Sequence, residues 1–338
     1  MKKLFYPLLI VFAVILTGCN KDNAVNPALP PQFTLWNNCE ALTALQEFVT
    51  DVTDPNSPNF IKEEDRIATF DMDGTFVGEL YPTYFEYNML EYRALDDPTY
   101  KDKAPEDVKE AAQNIRDFVR EGKKLPDAFD MKHAYAAAKA YAAKPANGFK
   151  GMTYGQSHYK PMLEVFNYLK ENGFTFYVVS GSDRFICRAL VESIGIEPNR
   201  VIGMDVKYRS SNQSSNEASV NHMMTQDEDL VRTDELIIKN LKTNKVLQIS
   251  QEIGKVPVLS FGNSSGDCAM HNYCLSNNKY RSAAFMLIAD DDVRDHANRE
   301  KALNLGQQWR EAGYYVISMR DDFKTIYGDG VEKTDFTF

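Results

Sequence analysis

The chain has 338 residues, 38 Lys plus Arg against 48 Asp plus Glu, and a formal net charge of −10. With 43% apolar and 25% charged residues, 20 Phe and 18 Tyr, it can bury a sizeable core, which excludes a disordered tail and a disulfide-stapled miniprotein. The acidic balance excludes a reader of the nucleic-acid backbone, which needs a basic face to release counterions.

Met1, Lys2 and Lys3 form a short basic start, and Leu4 to Leu16 is an almost unbroken apolar run. Such a run is shorter than the roughly 20 residues a membrane-spanning helix needs, so it reads as a signal peptide. The segment that ends it, Leu16-Thr17-Gly18-Cys19, resembles the lipobox of bacterial lipoproteins. That resemblance implies cleavage of residues 1–18 and acylation of the Cys19 thiol. The protein would then be lipid-anchored in a bacterial cell envelope, either periplasmic or surface-exposed. The alternative is an ordinary secretory signal with an incidental cysteine. Loss of Lys2 and Lys3 would move the formal charge from −10 to −12. Residues 19–32, with three prolines and little apolar content, read as a tether, and globular protein is expected from Phe33. Export permits a disulfide among Cys39, Cys187, Cys268 and Cys274, but the sequence names no pair.

In chain order, Asn38 to Val52 has the period of an amphipathic helix and is followed by the turn Asp54-Pro55-Asn56-Ser57-Pro58. Arg66 to Phe70 is an apolar run ending in carboxylates. Three helical patterns then follow without a strand: Tyr84 to Leu95, Glu106 to Glu121 and the alanine-rich Met131 to Ala143. The helix Lys160 to Asn172 leads into the run Phe174 to Val179, which ends in Ser180-Gly181-Ser182 and the helix Arg184 to Ile194. Tyr208 to Asp229 is polar and reads as a long surface loop or hairpin. Val256 to Phe261 runs into Gly262 to Asp267, and Ala283 to Ile288 and Tyr314 to Met319 are two more apolar runs. Short buried strands alternating with helices predict an α/β fold, a parallel sheet with helices on both faces, with an all-helical insertion after the first strand.

In such sheets a ligand sits beyond the carboxyl ends of the strands, and three ends here carry complementary polar groups. Asp71 and Asp73 stand at i and i+2 beside Gly74. A pair of that kind can hold a hard cation through oxygen while one carboxylate attacks an electrophile. Ser180-Gly181-Ser182 offers a hydroxyl and unencumbered N–H groups at a helix entrance, which suits a phosphate. Asn263 and Asp267 offer further oxygen ligands. Each string taken singly is also ordinary turn or cap composition.

Together, in this order, they resemble the haloacid dehalogenase-like phosphohydrolase superfamily. Its DxDGT motif matches Asp71 to Thr75, its Ser/Thr motif Ser180, and its acidic motif Gly262 to Asp267. Thr53-Asp54-Pro55 through Asp65-Arg66-Ile67-Ala68, Phe261-Gly262-Asn263-Ser264 and Ser318-Met319-Arg320-Asp321-Asp322 are similar to a bacterial branch near the phosphoserine phosphatases. The resemblance implies a Rossmann-like core of residues 33–80 and 150–338, with residues 81–149 as a helical cap that closes over the site. It implies Asp71 as nucleophile, Asp73 as acid and base, Ser180, Gly181 and Ser182 around the phosphate, and a catalytic lysine. It also implies Mg2+ held by Asp71, Asp73, Asn263 and Asp267. Asp73 discriminates within the superfamily, since the dehalogenases lack an acid there and only an alcohol leaving group needs protonation.

Lys239, Lys242, Lys245 and Lys255 compete for the lysine, and Lys245 fits the branch best although its neighbours match only in part. Asn263 stands where many members have Asp; its amide oxygen can coordinate but brings no charge. Glu79 either receives a substrate amine or is solvated at the cap hinge, and Arg184 either adds positive potential for the phosphate or pairs with Asp183. His133, His158, His222, His271 and His296 form no metal-spaced cluster and read as surface or core histidines. Asp290-Asp291-Asp292 reads as a strand-to-helix junction with an N-cap.

The expected function is a magnesium-dependent phosphomonoesterase for a small phosphorylated metabolite. The rivals are a phosphotransferase or phosphomutase on the same fold and a non-catalytic envelope lipoprotein that binds a phosphorylated ligand. Asn263 and the loose lysine context favour the last. Nothing in the sequence sets an oligomeric state.

Overall fold

The computed structural model describes residues 32–79, 83–120, 135–276 and 279–337. The signal peptide, Cys19, nearly all of the tether and His133 lie outside the described residues. The main compact unit begins at Phe33.

Helix α1 (Glu40–Thr53) starts at Cys39, whose sulfur accepts the Leu42 N–H, and buries Leu42, Leu45, Phe48, Val49 and Val52 along one face. The chain then enters β1 (Ile67–Phe70), every residue of which is buried, as a strand covered on both faces requires. Helices α2 (Phe85–Leu95), α3 (Glu106–Arg120) and α4 (Tyr135–Ala142) form the insertion; α2 packs on α3, and α4 packs on the core helix Arg184–Val191. The short β2 (Phe149–Lys150) returns the chain to α5 (Lys160–Glu171), β3 (Thr175–Asp183), α6 (Arg184–Val191) and β4 (Val201–Ser210). Next come β5 (Leu230–Ile238), α7 (Thr243–Glu252), β6 (Leu259–Gly262), α8 (Cys268–Ser276) and β7 (Ala283–Ile288). The chain ends with α9 (Arg299–Glu311), β8 (Tyr315–Ser318) and β9 (Glu332–Lys333), the last paired antiparallel with β2.

Among the described residues the main sheet has seven strands in the order β5-β4-β3-β1-β6-β7-β8. Every neighbouring pair is parallel except β4–β5, which is antiparallel. Strand β1 lies between β3 and β6, where chain order reverses, and a crevice at the carboxyl ends is built in at that point. Phe70 pairs with Phe261 on one side and with Val178 on the other, so the three strand ends come out level. The Phe70 and Phe261 rings stack at 4.3 Å and hold that register from below.

Of the two readings of Tyr208 to Asp229 the structure has the hairpin: β4 and β5 pair antiparallel as a long arm with 211–229 as its connection, and its strands reach beyond that span on both sides. Leu230, Leu236 and Ile237 are exposed on this edge strand, so the segment lacks the buried run that marked the others. A second expectation needs correction. The acidic triplet after β7 caps no helix: α9 begins later, at Arg299, with Asn298 as its cap. Asp291 Oδ1 instead accepts the N–H groups of Val293 and Arg294 in a turn, and Asp290 accepts the Ser318 hydroxyl at 2.6 Å. Among the described residues no helix is long and apolar enough to cross a membrane.

His158 and His271 are core residues. His158 Nε2 lies 3.1 Å from the Leu190 carbonyl and His271 Nδ1 lies 2.6 Å from Ser260 Oγ. Burial pushes both imidazoles down to about 4. They stay neutral in the folded protein while the unfolded chain protonates them near the ordinary histidine value, so stability falls as pH drops from 6.5 towards 4. Urea unfolding followed across this range should show that slope, and His158→Gln should reduce it.

Candidate active site

The site is assembled at the level carboxyl ends of β1, β3 and β6. Asp71 continues the ladder by one residue, its N–H donating to the Phe261 carbonyl at 2.9 Å, so its side chain is fixed at the rim. The following turn is closed by Gly74 N–H to Val77 O at 2.7 Å and Thr75 N–H to Met72 O at 3.1 Å. Gly74 has φ +77°, and a Cβ there would lie 1.9 Å from Asn263 Nδ2, so both backbone and space demand glycine. The turn brings Asp73 beside Asp71, where Asp73 Oδ2 accepts the Ser182 hydroxyl at 2.7 Å.

Ser180 to Ser182 form an arch. Val179 pairs with Ile202 and Asp183 with Met204, so four steps on β3 span two on β4 and the intervening residues leave the ladder. Inside the arch the Ser182 N–H donates to Ser180 Oγ at 3.0 Å, and the Asn240 amide donates to the Ser180 carbonyl at 3.0 Å. A Cβ on Gly181 would sit 2.4 Å from Leu241 Cδ2.

Lys245, on α7, enters from below. Its Nζ donates to Asp71 Oδ1 at 2.6 Å, to Asp267 Oδ1 at 2.7 Å and to the Val179 carbonyl at 2.6 Å, with only 1% of the residue exposed. Burial alone would depress the ammonium, but Asp267 and Asp71 outweigh it and hold the lysine charged, well above its ordinary value. The carboxylates divide in the opposite sense although the lysine touches both. Asp71 is raised, by burial first and then by Asp267. At Asp267 burial is outweighed by Lys245 and the carboxyl is lowered. The difference has a geometric cause, since Asp267 Oδ2 also accepts Asn263 N–H at 3.1 Å, Ser264 N–H at 2.9 Å and the Ser264 hydroxyl at 3.1 Å. Burial likewise raises Asp73 against its bond from Ser182.

A profile of the haloacid dehalogenase-like hydrolases matches residues 68–270, well over half the chain and all of the elements just described. The chain belongs to this family. No curated protein matches its sequence. Among solved structures, a conserved protein of unknown function from Anaerococcus prevotii superposes with a TM-score of 0.51 at 12% identity, over 88% of this chain and 98% of that one. Cytosolic 5'-nucleotidase IIIB bound to cytidine gives 0.45 at 12% identity, over 84% of this chain and 85% of its own. A phosphoserine phosphohydrolase-like protein from Francisella tularensis gives 0.34 at 15% identity, over 75% and 94%.

Within this haloacid dehalogenase-like site the structure brings together Asp71, Asp73, Ser180, Gly181, Ser182, Lys245, Asn263 and Asp267. Glu79 joins them at the solvent-exposed mouth, where Asn263 Nδ2 donates to Glu79 Oε1 at 3.0 Å. Restricted hydration, then the nearby Asp73 and Asp267, raise its carboxyl against that bond. Of the competing lysines, Lys255 is on the surface with Asp65 at 2.7 Å, and Lys242 is exposed.

Arg184 does not join the site, nor does it pair with Asp183. Its five N–H donors go to Asp205 twice, at 2.9 and 2.6 Å, to Glu252 twice, at 2.8 and 2.5 Å, and to the Val201 carbonyl at 2.9 Å. No donor is left for a phosphate. Sequence reasoning missed Glu86 on α2, whose Oε2 accepts the Asp183 N–H at 3.3 Å, and Arg232 on β5, which pairs with the Asp183 carboxylate. Neither lies in a motif; only the tertiary fold brings them to the arch.

Lys245→Met should leave Asp71 and Asp267 facing each other without a cation. Breaking a buried pair in this way costs about 3 kcal/mol. Urea unfolding without divalent cations should show a loss of that order.

Proposed function

We propose that the protein is a magnesium-dependent phosphomonoesterase acting on a small phosphorylated metabolite through an aspartyl-phosphate on Asp71. The observation that carries the reading is a second carboxyl, Asp73, held beside Asp71 by the Ser182 hydroxyl at 2.7 Å. Two adjacent acids suit a reaction that needs a nucleophile and a proton donor in one step.

In this reading an Asp71 carboxylate oxygen attacks phosphorus as the ester P–O bond breaks, and Asp73, raised by burial, gives its proton to the departing alkoxide. Asp73 then removes a proton from water, whose oxygen attacks phosphorus, releases phosphate and restores Asp71. Lys245 keeps its charge throughout and offsets the negative charge that builds around Asp71. The arch offers backbone N–H groups and hydroxyls to the phosphoryl oxygens.

The donor set fits magnesium. Among the described residues no three His, Cys, Asp or Glu side chains converge as a ready metal cage. The oxygen set here mixes the Asp71 carboxylate, the Asp73 main-chain carbonyl, the Asn263 amide oxygen and Asp267, which suits a hard cation that keeps several waters. Asn263 spends its N–H on Glu79, and its carbonyl oxygen makes no hydrogen bond among the described residues. When bound, the ion supplies charge neutralisation for an anionic nucleophile meeting an anionic substrate.

The helical insertion is read as a cap that limits bulk water and favours a small substrate. The lipobox-like segment Leu16-Thr17-Gly18-Cys19 supports reading the protein as one of a bacterial envelope, anchored at Cys19.

Purified protein should release p-nitrophenol from p-nitrophenyl phosphate with magnesium and lose that activity in EDTA. Asp71→Asn should abolish turnover, and Asp73→Asn should lower it by roughly a hundredfold or more, the usual worth of a general acid. Full activity in Asp71→Asn would sink the mechanism.

A further inference from the structure

We infer that Arg232, on the antiparallel arm outside the parallel core, is a positioning residue for the arch Ser180 to Ser182, acting through Asp183. Its catalytic consequence rests on the phosphatase reading above.

Asp183 ends the arch. It is where β3 rejoins the β4 ladder opposite Met204 after the shifted stretch. Its carboxylate has two separate duties. Oδ1 accepts the N–H groups of Phe185 at 2.9 Å and Ile186 at 3.3 Å, capping α6, while Oδ2 receives the Arg232 guanidinium. Its own N–H donates to Glu86 of the insertion at 3.3 Å. Thus α6, the arm and the insertion meet on the residue next to Ser182, whose hydroxyl holds Asp73. The fit beneath is tight, since a Cβ on Gly203 of β4 would lie 2.6 Å from Arg184 Cα and 2.9 Å from the Ser182 carbonyl.

Arg232 is the cation paired with the Asp183 carboxylate. Asp183 is 1% exposed, Asp205 stands near it with like charge, and Glu86 is a further acid beside it whose carboxyl burial pushes up to about 8. Arg184, next in sequence, has all its donors committed to Asp205, Glu252 and Val201. Without Arg232 the Asp183 carboxylate must take up a proton or swing towards water. The peptide that shifts with it is the end of the arch, because the preceding residues have no ladder to hold them. Phosphate contacts should therefore loosen while Asp71 and Lys245, held by β1 and α7, keep their places, and Asp73 stays on the turn closed between Gly74 and Val77 even as its bond from Ser182 weakens.

In the full chain, Arg232→Ala is expected to raise KM for p-nitrophenyl phosphate about tenfold with kcat changed less than about threefold, the pattern of lost ground-state binding. Arg232→Lys should recover most of the loss. Lys207→Ala, which removes the exposed Lys207–Glu235 pair at 3.0 Å on the same arm, should change neither constant. Asp183→Asn keeps an oxygen for the α6 cap but deletes the charge, so it should reproduce Arg232→Ala, and the double variant should add little to either. Asp183→Asn also carries the test if Arg232→Ala folds poorly, with melting temperature as the check on folding. A readout independent of turnover is hydrogen exchange at the Ser182 and Asp183 amides, expected to quicken about tenfold in Arg232→Ala, equivalent to one broken positioning contact. Unchanged KM and unchanged exchange in a folded variant would overturn the inference. A wild type without phosphatase activity would overturn the proposed function instead, and the exchange rates would still decide whether Arg232 positions the arch.

Discussion

Lys245 Nζ is shared by Asp71, Asp267 and the Val179 carbonyl within 2.7 Å, and the ends of β1, β6 and β3 are joined through that one ammonium. An ion group so deeply buried is costly to desolvate and persists only with its partners arranged to compensate it. One lysine does not balance the carboxylates around it. Asp71 and Asp267, when both are ionised, already exceed it, Asp73 adds a third acid, and burial first, then the neighbouring acids, raise Asp71 and Asp73. A pocket with that deficit of positive charge repels a lone phosphate dianion and favours a divalent cation.

Rigid and adjustable parts of the site come from different layers. Asp71 is fixed by the β1–β6 ladder and Asp267 by a three-donor cradle at the start of α8, so the nucleophile and the lysine's second partner have little freedom. The arch is off the ladder and is held in position by backbone N–H groups of α6 and by side chains from α2 and β5. In the proposed mechanism the groups that would carry out bond changes therefore sit on the sheet, while those that would meet the phosphoryl oxygens sit where neighbouring elements can influence them.

The core strands were legible because burial on both faces leaves uninterrupted apolar runs: Ala283 to Ile288 matches β7 residue for residue, and Arg66 to Phe70 brackets β1. The arm was not, because an exposed antiparallel edge has no such run, and Val201 to Ile202 is too short to declare β4 by itself. At the site, strand-end motifs pointed to Asp71, Asp73 and Ser180 because local turn chemistry writes them into consecutive residues. Arg184 was misread for the opposite reason. Proximity in sequence to Ser182 suggested a phosphate contact, whereas Asp205 and Glu252, 21 and 68 positions away, capture its guanidinium. Glu86 and Arg232 reach Asp183 across 97 and 49 positions, distances at which sequence carries no pairing signal without the fold.

Asn263 shows how a departure from the common pattern can be forced by a neighbour. Its Nδ2 lies 3.0 Å from Glu79 Oε1 and packs where Gly74 has no Cβ. An aspartate in that place would set a carboxylate against Glu79, whose carboxyl is already raised by restricted hydration and by Asp73 and Asp267. The amide instead offers Glu79 a donor, and its oxygen makes no hydrogen bond among the described residues. The negative charge given up at position 263 is compensated by Asp267, buried and held low by Lys245. Asn263 and Glu79 are thus one unit: the amide is needed because the glutamate is there, and the glutamate is held at the mouth because the residue facing it is an amide.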